Sequence, residues 1–259
     1  MGVVVLFSAG GSPGVTTTAV GLALAWPRDV VLIEADPTGA SGLIPGYLQG
    51  VQTPARSVID LAIAHQQGHL AHTVLALSAP LGSSEHARFI PAVKTHRQAA
   101  AMTSVWEPLM DEFLNLDRAG TDVLVDAGRL GLEWFPTPLA ARATASLLVL
   151  RCTLPAIAQA RVWASWLAEL GERHLVQPGL AVVGSGHVYP ASEIGRYLKL
   201  KTLISLPLDH AGARVFSEGA PKSTRWLARS PLAAAFKSEA GSLAGLIAAA
   251  AAAERKATV

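Results

Sequence analysis

Charged residues are scarce in this chain of 259 residues, where Asp, Glu, Lys and Arg make up 15% and hydrophobic residues 51%. The net charge of +2 gives no electrostatic signal for nucleic-acid binding. A single cysteine, Cys152, excludes an internal disulfide framework and is typical of a reducing compartment. Every long apolar run ends well short of the roughly 18–20 residues that a transmembrane helix needs. These absences predict a cytoplasmic protein without a transmembrane segment, and the length allows a single domain over residues 1–259.

Short apolar runs alternate with helical patterns along most of the chain. The runs, mostly rich in β-branched residues, occupy 3–7, 30–33, 89–93, 123–125, 147–151, 180–183 and 203–206. The helical patterns cover 15–26, 56–66, 97–116, 155–170, 191–199 and 239–253. Runs of this kind suit strands that are buried on both faces of a parallel sheet. The order predicts an α/β fold, with a doubly wound, mainly parallel sheet flanked by helices.

The C-terminal segment 239–259 is rich in alanine, which is a strong helix former. We expect this segment to close the domain as a helix with a frayed, charged end. The alternative is an amphipathic tail that contacts a membrane surface. The thin polar face of the helix favours the first interpretation, so peripheral membrane contact is not expected.

A glycine-rich loop, residues 8–19, follows the first apolar run and opens the first helical pattern. Its sequence is Ser-Ala-Gly-Gly-Ser-Pro-Gly-Val-Thr-Thr-Thr-Ala. In the phosphate-binding loop G-x-x-x-x-G-K-[ST], backbone N–H groups hold the phosphates, the lysine neutralises them and the hydroxyl binds Mg²⁺. The glycines and threonines of that pattern are present, but Val15 stands at the lysine position. The loop therefore predicts a phosphate site that lacks its usual cation.

Acidic residues follow two of the apolar runs, at the carboxyl ends of the predicted strands. Glu34 and Asp36 come directly after the second run, and Asp126 follows the run 123–125. Ligands of doubly wound sheets bind outside the carboxyl ends of the strands, so these side chains are expected to face the glycine-rich loop. An Asp in this place either holds Mg²⁺ through water or caps the next turn. The occurrence of Asp36 and Asp126 together favours the Mg²⁺ site.

These three blocks resemble the deviant Walker-box family of ParA and MinD, the ATPases of chromosome partitioning and division-site placement. The family loop K-G-G-x-G-K-T-T aligns with residues 10–17, its D-x-D-P-Q-G segment with 34–39 and its D-x-P-P segment with 126–129. Later parts of the same fold are resembled by segments 182–184, 189–194 and 203–209. The resemblance therefore runs from residue 3 to about residue 235.

The resemblance implies a site for ATP or ADP with Mg²⁺. It assigns the phosphates to the loop residues Gly11, Ser12, Pro13, Gly14, Val15, Thr16 and Thr17. Thr16 would also provide the hydroxyl that binds Mg²⁺. Asp36 would orient the attacking water, and Asp36 and Asp126 would support the metal, partly through water. Pro207 and Asp209 would border the adenine.

The chain departs from the family pattern where charge matters most. Val15 replaces the loop lysine, and Gly10 replaces a second lysine that crosses a dimer interface in the family. Gly184 or Ser185 stands at the position of the usual adenine-contacting Asn, and Arg129 replaces a proline. Loss of one desolvated charge partner costs about 2–5 kcal/mol, or roughly 30-fold to several-thousand-fold in affinity. We therefore expect weak or absent ATP hydrolysis with a retained fold.

Two functions are compatible with this resemblance. The first is a pseudo-ATPase that acts as a positioning or assembly scaffold or regulator through protein partners, which the sequence does not identify. The alternative is an active switch ATPase that dimerises around ATP in partitioning, division-site, or pilus and secretion-machine placement. The missing lysines favour the first function, and the retained Mg²⁺ residues favour the second. Arg129, Arg142 and Arg151 are expected near the carboxyl ends of the predicted site strands and are candidates to replace the lysines.

Overall fold

A central sheet of eight strands carries helices on both faces in the computed structural model, which describes residues 2–70, 73–173, 176–186, 188–220 and 223–257. The strands are β1 (Val3–Ser8), β2 (Val30–Glu34), β3 (Ala79–Pro80), β4 (Ala87–Ile90), β5 (Asp122–Arg129), β6 (Ala145–Arg151), β7 (Gln177–Val183) and β8 (Lys201–Leu206). The helices within these residues are α1 (Val15–Ala25), α2 (Val58–Gln66), α3 (Thr73–Leu77), α4 (His96–Met102), α5 (Trp106–Arg118), α6 (Thr137–Arg142), α7 (Leu154–Arg173), α8 (Ala191–Leu198), α9 (His210–Glu218), α10 (Thr224–Leu227) and α11 (Pro231–Ala257).

The strands follow the order β3-β4-β2-β5-β1-β6-β7-β8 across the sheet. Neighbouring strands are parallel, except that the two-residue strand β3 runs antiparallel to β4. This arrangement confirms the predicted doubly wound, mainly parallel α/β fold. Because β1 lies next to β5, and β5 next to β2, the carboxyl ends of these three strands meet at one edge of the sheet.

The central strands are apolar along their whole length, and helices bury both faces of the sheet. Every residue of β1 and β2 is buried, as parallel strands covered on both sides require. Helices α1, α9 and α11 cover one face around Leu22, Phe216 and Phe236. Helices α2, α4, α5, α7 and α8 cover the other face around Phe7 and Phe113. This packing fixes the strand ends from which the candidate site is built.

The predicted helix 97–116 forms two helices, α4 and α5, with a turn at 103–105 between them. Val105 donates its N–H to the carbonyl oxygen of Met102, which closes the turn. Val105 and Trp106 are both buried in the core beside Met102. The turn therefore places three neighbouring apolar side chains in one core, which a continuous helix would spread around its axis.

The C-terminal helix starts at Pro231, not at residue 239 as predicted. Ser230 accepts a hydrogen bond from the N–H of Ala233 at 3.2 Å, and proline suits the first turn of a helix. The helix runs to Ala257, and residues 258–259 of the predicted frayed end lie outside the described residues. No helix in the described part of the chain combines the length and apolarity that a membrane span requires.

The amino end of β5 is held by a buried carboxylate, Asp122. One of its oxygens accepts the N–H of Gly2 at 2.9 Å. The other accepts the indole N–H of Trp26 at 2.7 Å and an N–H of the Arg28 guanidinium at 2.5 Å. The side chain of Asp122 is fully buried, whereas that of Arg28 is 30% exposed. Asp122 thus connects the start of β5 to the residues just before β1 and β2, at the edge of the sheet opposite the glycine-rich loop.

Candidate functional site

The loop between β1 and α1 places a row of unpaired backbone N–H groups at the carboxyl edge of the sheet. Gly11, Ser12 and Gly14 have φ angles of 73°, 44° and 102°. Glycine adopts this left-handed region freely, whereas a serine there is uncommon. The N–H groups of residues 11, 12 and 14–17 donate no hydrogen bond within the described part of the chain. Such groups at the start of a helix form a binding site for an anion.

Helix α1 adds the positive end of its dipole to these N–H groups, and no acidic residue in its first turn opposes it. Val15, at the lysine position, is only 8% exposed and belongs to the same apolar cluster as Leu6 and Val149. Its side chain is therefore part of the core. The loop therefore offers only backbone N–H groups to an anion and has no cationic side chain of its own.

Thr16 and Asp126 meet directly beneath the loop. The Thr16 hydroxyl donates to Oδ2 of Asp126 at 2.5 Å, and the N–H of Gly128 donates to Oδ1 at 3.0 Å. Asp126 is 3% exposed, and no cation pairs with it among the described residues. Burial raises the pKa of Asp126 to about 6, and the charge of Asp36 adds to this rise. The hydroxyl and carboxylate predicted to form one site are thus in contact.

Glu34 is a second buried carboxylate, directly beside Asp126 in the neighbouring strand. It accepts hydrogen bonds from the Ser41 hydroxyl, from the N–H of Leu43 at 3.2 Å and from the N–H of Ala92 at 3.4 Å. Burial raises the pKa of Glu34 to about 7, and the nearby charge of Asp126 acts in the same direction. Glu34 therefore fixes the loop that follows β2, and it adds a full negative charge to the site only above about pH 7.

Asp36 is half-buried and approaches Asp126 from the loop after β2. Its Oδ1 accepts the N–H of Thr38 at 2.9 Å. A Cβ on Gly128 would lie only 2.3 Å from Cγ of Asp36, and Gly128 has a left-handed φ of +69°. The glycine after Asp126 is therefore required for this close approach. Sequence reasoning did not identify Gly128, although a glycine two residues beyond a strand-end Asp was visible.

The donor set at this edge matches a hard divalent cation that has further ligands. No group of three or more His, Cys, Asp or Glu side chains among the described residues is arranged to hold a metal alone. One hydroxyl and the carboxylates of Asp36 and Asp126 are oxygen donors of the kind that Mg²⁺ prefers, together with water and phosphate oxygens. The residues therefore fit Mg²⁺ that arrives with a phosphate ligand.

A cavity of about 400 Å³ opens beside the loop. It is lined by loop and α1 residues on one side and by the carboxyl ends of β6, β7 and β8 on the other. Its volume is in the range of small-molecule sites. The lining residues include Ser12, Pro13, Gly14, Thr17, Arg151, Gly184, Pro207 and Asp209. The structure thus brings the predicted base-contacting residues to the same cavity as the predicted phosphate residues.

Asp209 has a structural role at this cavity, because its carboxylate caps helix α9. It accepts hydrogen bonds from the N–H of Gly212 and the hydroxyl of Ser230, each at 2.8 Å. Desolvation opposes ionisation, but these bonds and one from the N–H of Leu232 keep the pKa of Asp209 below its usual value.

A groove of about 510 Å³ elsewhere, beside Tyr47, has no charged lining residue.

The three candidate arginines occupy different places. Arg142 lies at the end of α6, before β6 begins, and binds Glu107 and Asp111 at 2.7 Å each. Its predicted position at the carboxyl end of a site strand is therefore wrong. Arg151 ends β6 and lines the cavity. Arg129 ends β5 and lies beside Gly10 of the loop.

The loop, the sheet order and the position of the cavity define a P-loop NTPase fold. Neither a family model nor a curated protein sequence matches the chain. Solved structures resemble it over nearly their whole length. MinD of Pyrococcus furiosus, a cell division ATPase, has a TM-score of 0.70 at 19% identity, with 95% of this chain and 100% of that chain covered.

Two further structures extend this likeness. MinD of Pyrococcus horikoshii OT3, solved with Mg-ADP, has a TM-score of 0.71 at 18% identity, with 95% of this chain and 98% of that chain covered. A ParA family ATPase from Chlorobium tepidum TLS has a TM-score of 0.71 at 15% identity, with 92% and 98% covered. The chain therefore has the fold of the MinD and ParA ATPases, and at these identities the likeness concerns the fold alone.

Proposed function

We propose that this chain binds ATP or ADP with Mg²⁺ at the loop and the adjoining cavity. The observation that carries the proposal is the row of unpaired N–H groups in residues 11, 12 and 14–17, which borders a cavity of about 400 Å³. Unpaired N–H groups suit phosphates, and the cavity has room for a nucleoside. The solved MinD with Mg-ADP and a McdA variant of Cyanothece with ATP support this choice of ligand.

Thr16 and Asp126 are the residues that we propose hold Mg²⁺, and Asp36 reaches it through water. Asp126 is buried without a cationic partner in the described chain, so a divalent cation would compensate its charge. The bound ion would supply charge neutralisation for the phosphates. We assign to Asp36 the orientation of the attacking water, and to Pro207 and Asp209 the border of the adenine.

ATP hydrolysis is proposed to be weak or absent, which makes the chain a pseudo-ATPase. The position of the loop lysine is occupied by a buried apolar side chain, so the loop does not stabilise charge that develops on the transferred phosphoryl group. Loss of such a partner costs about 2–5 kcal/mol. A nucleotide that an intact loop binds near about 1 μM would bind here with a Kd between about 30 μM and several millimolar.

The cellular role that we propose is a cytoplasmic positioning or assembly scaffold, or a regulator, that acts through protein partners. MinD of Aquifex aeolicus, which has the same fold, was solved in complex with MinC. A scattered distribution of basic residues gives no support to nucleic-acid binding. A second candidate is an active switch ATPase that dimerises around ATP. The contact between Thr16 and Asp126 favours it, because a silent scaffold has no need of a metal site.

Calorimetry with Mg-ATP and Mg-ADP tests the binding proposal. We expect wild-type protein to bind both nucleotides with a submillimolar to millimolar Kd. Thr16→Val removes the hydroxyl and should abolish the Mg²⁺ dependence of that affinity. Thr137→Val, an exposed threonine at the start of α6, is the matched control and should leave it unchanged. No heat at several millimolar nucleotide would reject the proposed ligand.

Phosphate release and light scattering separate the two candidate functions. A pseudo-ATPase releases phosphate no faster than its Asp36→Ala variant and keeps one molecular mass with and without Mg-ATP. A switch ATPase shows turnover that Asp36→Ala abolishes, together with a homodimer that requires ATP. Turnover together with an ATP-dependent homodimer would reject the pseudo-ATPase scaffold and support the switch ATPase.

A further inference from the structure

Arg129 lies beside the phosphate loop, where the end of β5 is irregular. Leu6 is in register with Asp126, but Ser8 is in register with Arg129, so β5 contains one extra residue opposite β1. A bulge of this kind redirects the side chains that follow it. Gly128, inside the bulge, has the left-handed φ of +69° that the irregular backbone needs. The bulge therefore determines where Arg129 projects.

Two long side chains cover the outer side of the loop at Gly10. A Cβ on Gly10 would lie 3.8 Å from Cζ of Arg129 and 2.8 Å from Oε1 of Gln159. Oε1 of Gln159 is also 3.6 Å from a Cβ on Gly11. Gln159 comes from α7, whose Trp163 lies close to Gly131 just beyond Arg129. Gln159 thus occupies the space that a side chain at position 10 would take, and the guanidinium of Arg129 lies within contact distance of that position.

The guanidinium of Arg129 is available for an anion. Arg129 is exposed, and it pairs with no carboxylate in the part of the chain that the structure describes. Its backbone is fixed, because the next residue, Leu130, donates its N–H to the carbonyl oxygen of Ser8 at 2.8 Å. A guanidinium binds phosphate through two parallel hydrogen bonds, which a lysine does not provide.

The acidic side chains at the carboxyl edge of the sheet favour a cationic side chain beside the phosphate loop. Glu34, Asp36 and Asp126 place three carboxylates near the phosphate loop, and Val15 contributes no charge to oppose them. We propose that Arg129, directed by the β5 bulge and flanked by Gln159, supplies the missing cation from within the same chain and binds the terminal phosphates of the nucleotide. This inference rests on the proposed nucleotide binding.

Calorimetry at constant ionic strength, with Mg-ATP, Mg-ADP, AMP and adenosine, tests this assignment. Arg129→Ala should weaken Mg-ATP and Mg-ADP binding by about 10- to 100-fold, because one charged phosphate contact is lost. AMP and adenosine, which lack the terminal phosphates, should change by less than about 2-fold. Arg129→Lys keeps the charge without the paired hydrogen bonds and should recover part of the loss.

Two variants serve as controls. Arg142→Ala removes an arginine that is bound by acids away from the loop and should leave all four affinities unchanged. Arg151→Ala removes the other candidate arginine, which lines the same cavity, and its effect shows whether that residue holds the terminal phosphates instead. A loss of Mg-ATP binding in Arg151→Ala as large as the loss in Arg129→Ala would overturn the assignment. Unchanged Mg-ATP binding by Arg129→Ala would overturn it as well, while absence of binding by wild type would overturn both it and the proposed function.

Discussion

Strand β5 carries two buried aspartates, Asp122 at its start and Asp126 near its end, and only the first has its charge compensated. Asp122 accepts hydrogen bonds from Arg28, Trp26 and a backbone N–H. Asp126 accepts bonds from neutral donors only, and it lies next to further carboxylates. The amino end of the strand thus has a compensated carboxylate, whereas the carboxylate at the carboxyl end has no cationic partner among the described residues.

This difference explains why the two ends of one strand have different chemistry. A buried ion that keeps its partner contributes to a unique fold, and a buried ion without one destabilises it. A carboxyl group with a perturbed pKa at a cleft is therefore a candidate for a functional site. The pKa of Asp126 and the pKa of Glu34 are both raised by burial. Isosteric substitutions at the two ends of the strand test this contrast.

The largest effect is expected from Asp122→Asn. The amide offers one acceptor oxygen, and its NH₂ group would face the donors of Trp26 or Arg28. Removing one partner of a buried, hydrogen-bonded ion pair should lower the free energy of unfolding by about 2–4 kcal/mol. Urea denaturation measures this loss, and nucleotide affinity measured on the folded protein should not change. A loss below about 0.5 kcal/mol would contradict a structural role for Asp122.

Glu34→Gln should have the opposite sign, and its effect should depend on pH. Burial raises the pKa of Glu34 from 4.5 to about 7 in the folded protein. Wild-type protein therefore has its full stability below about pH 4.5 and loses this contribution as the pH rises through 7. The glutamine stays neutral, can accept the N–H of Leu43 and can donate to Ser41. In EDTA, we expect the variant to be more stable by about 1–3 kcal/mol at pH 8.

The pH dependence is the distinguishing result for Glu34. Urea denaturation at pH 4 should show little difference between wild type and Glu34→Gln, and the difference should grow up to pH 8. Glu133→Gln, at an exposed glutamate, is the matched control and should show no such growth. A difference that is equal at both pH values would mean that packing, not ionisation, separates the two proteins.

The sequence predicted the sheet well because its central strands are buried on both faces. Such strands are continuous apolar runs, so their positions can be read without knowledge of their neighbours. The turn between α4 and α5 was missed because it depends on the burial of Val105 and Trp106, which only the assembled core determines. The start of α11 was missed although Ser230 and Pro231 form a recognisable helix start.

The sequence allowed the glycine-rich loop and the carboxylates of the candidate site to be named, but not the side chains that contact them. Thr16, Asp36 and Asp126 follow strands, and parallel strands bring their carboxyl ends together. Gln159 was missed because its place beside Gly10 depends on how α7 packs. Arg142 was misplaced although it precedes the predicted strand 147–151, and the structure shows that two acids of α5 bind it. The roles assigned to the site residues remain predictions.

Asp126→Asn is the direct counterpart of Asp122→Asn at the other end of the strand. Its oxygen can accept the N–H of Gly128, and its NH₂ group can donate to the Thr16 hydroxyl. Because burial raises the pKa of Asp126 to about 6, the neutral amide should stabilise the metal-free protein at pH 8 by about 1–2 kcal/mol. The same variant should lose the Mg²⁺ dependence of nucleotide binding. Destabilisation by Asp126→Asn to the extent of Asp122→Asn would remove the contrast between the two ends.

Gly128→Ala should have a modest effect on stability and a specific effect on the site. A left-handed φ of +69° costs an alanine about 1 kcal/mol, and the new Cβ would meet Cγ of Asp36 at 2.3 Å. Since Asp36 is half-buried in a loop, it can move away, so the unfolding free energy should fall by only about 1–2 kcal/mol. Gly131→Ala also has a left-handed φ but meets Trp163 instead, which makes it a matched control. If Asp36 acts at the nucleotide, Gly128→Ala should reduce any phosphate release as strongly as Asp36→Ala, while Gly131→Ala leaves it unchanged. Equal effects of the two alanines would show that backbone strain, not the approach of Asp36, is responsible.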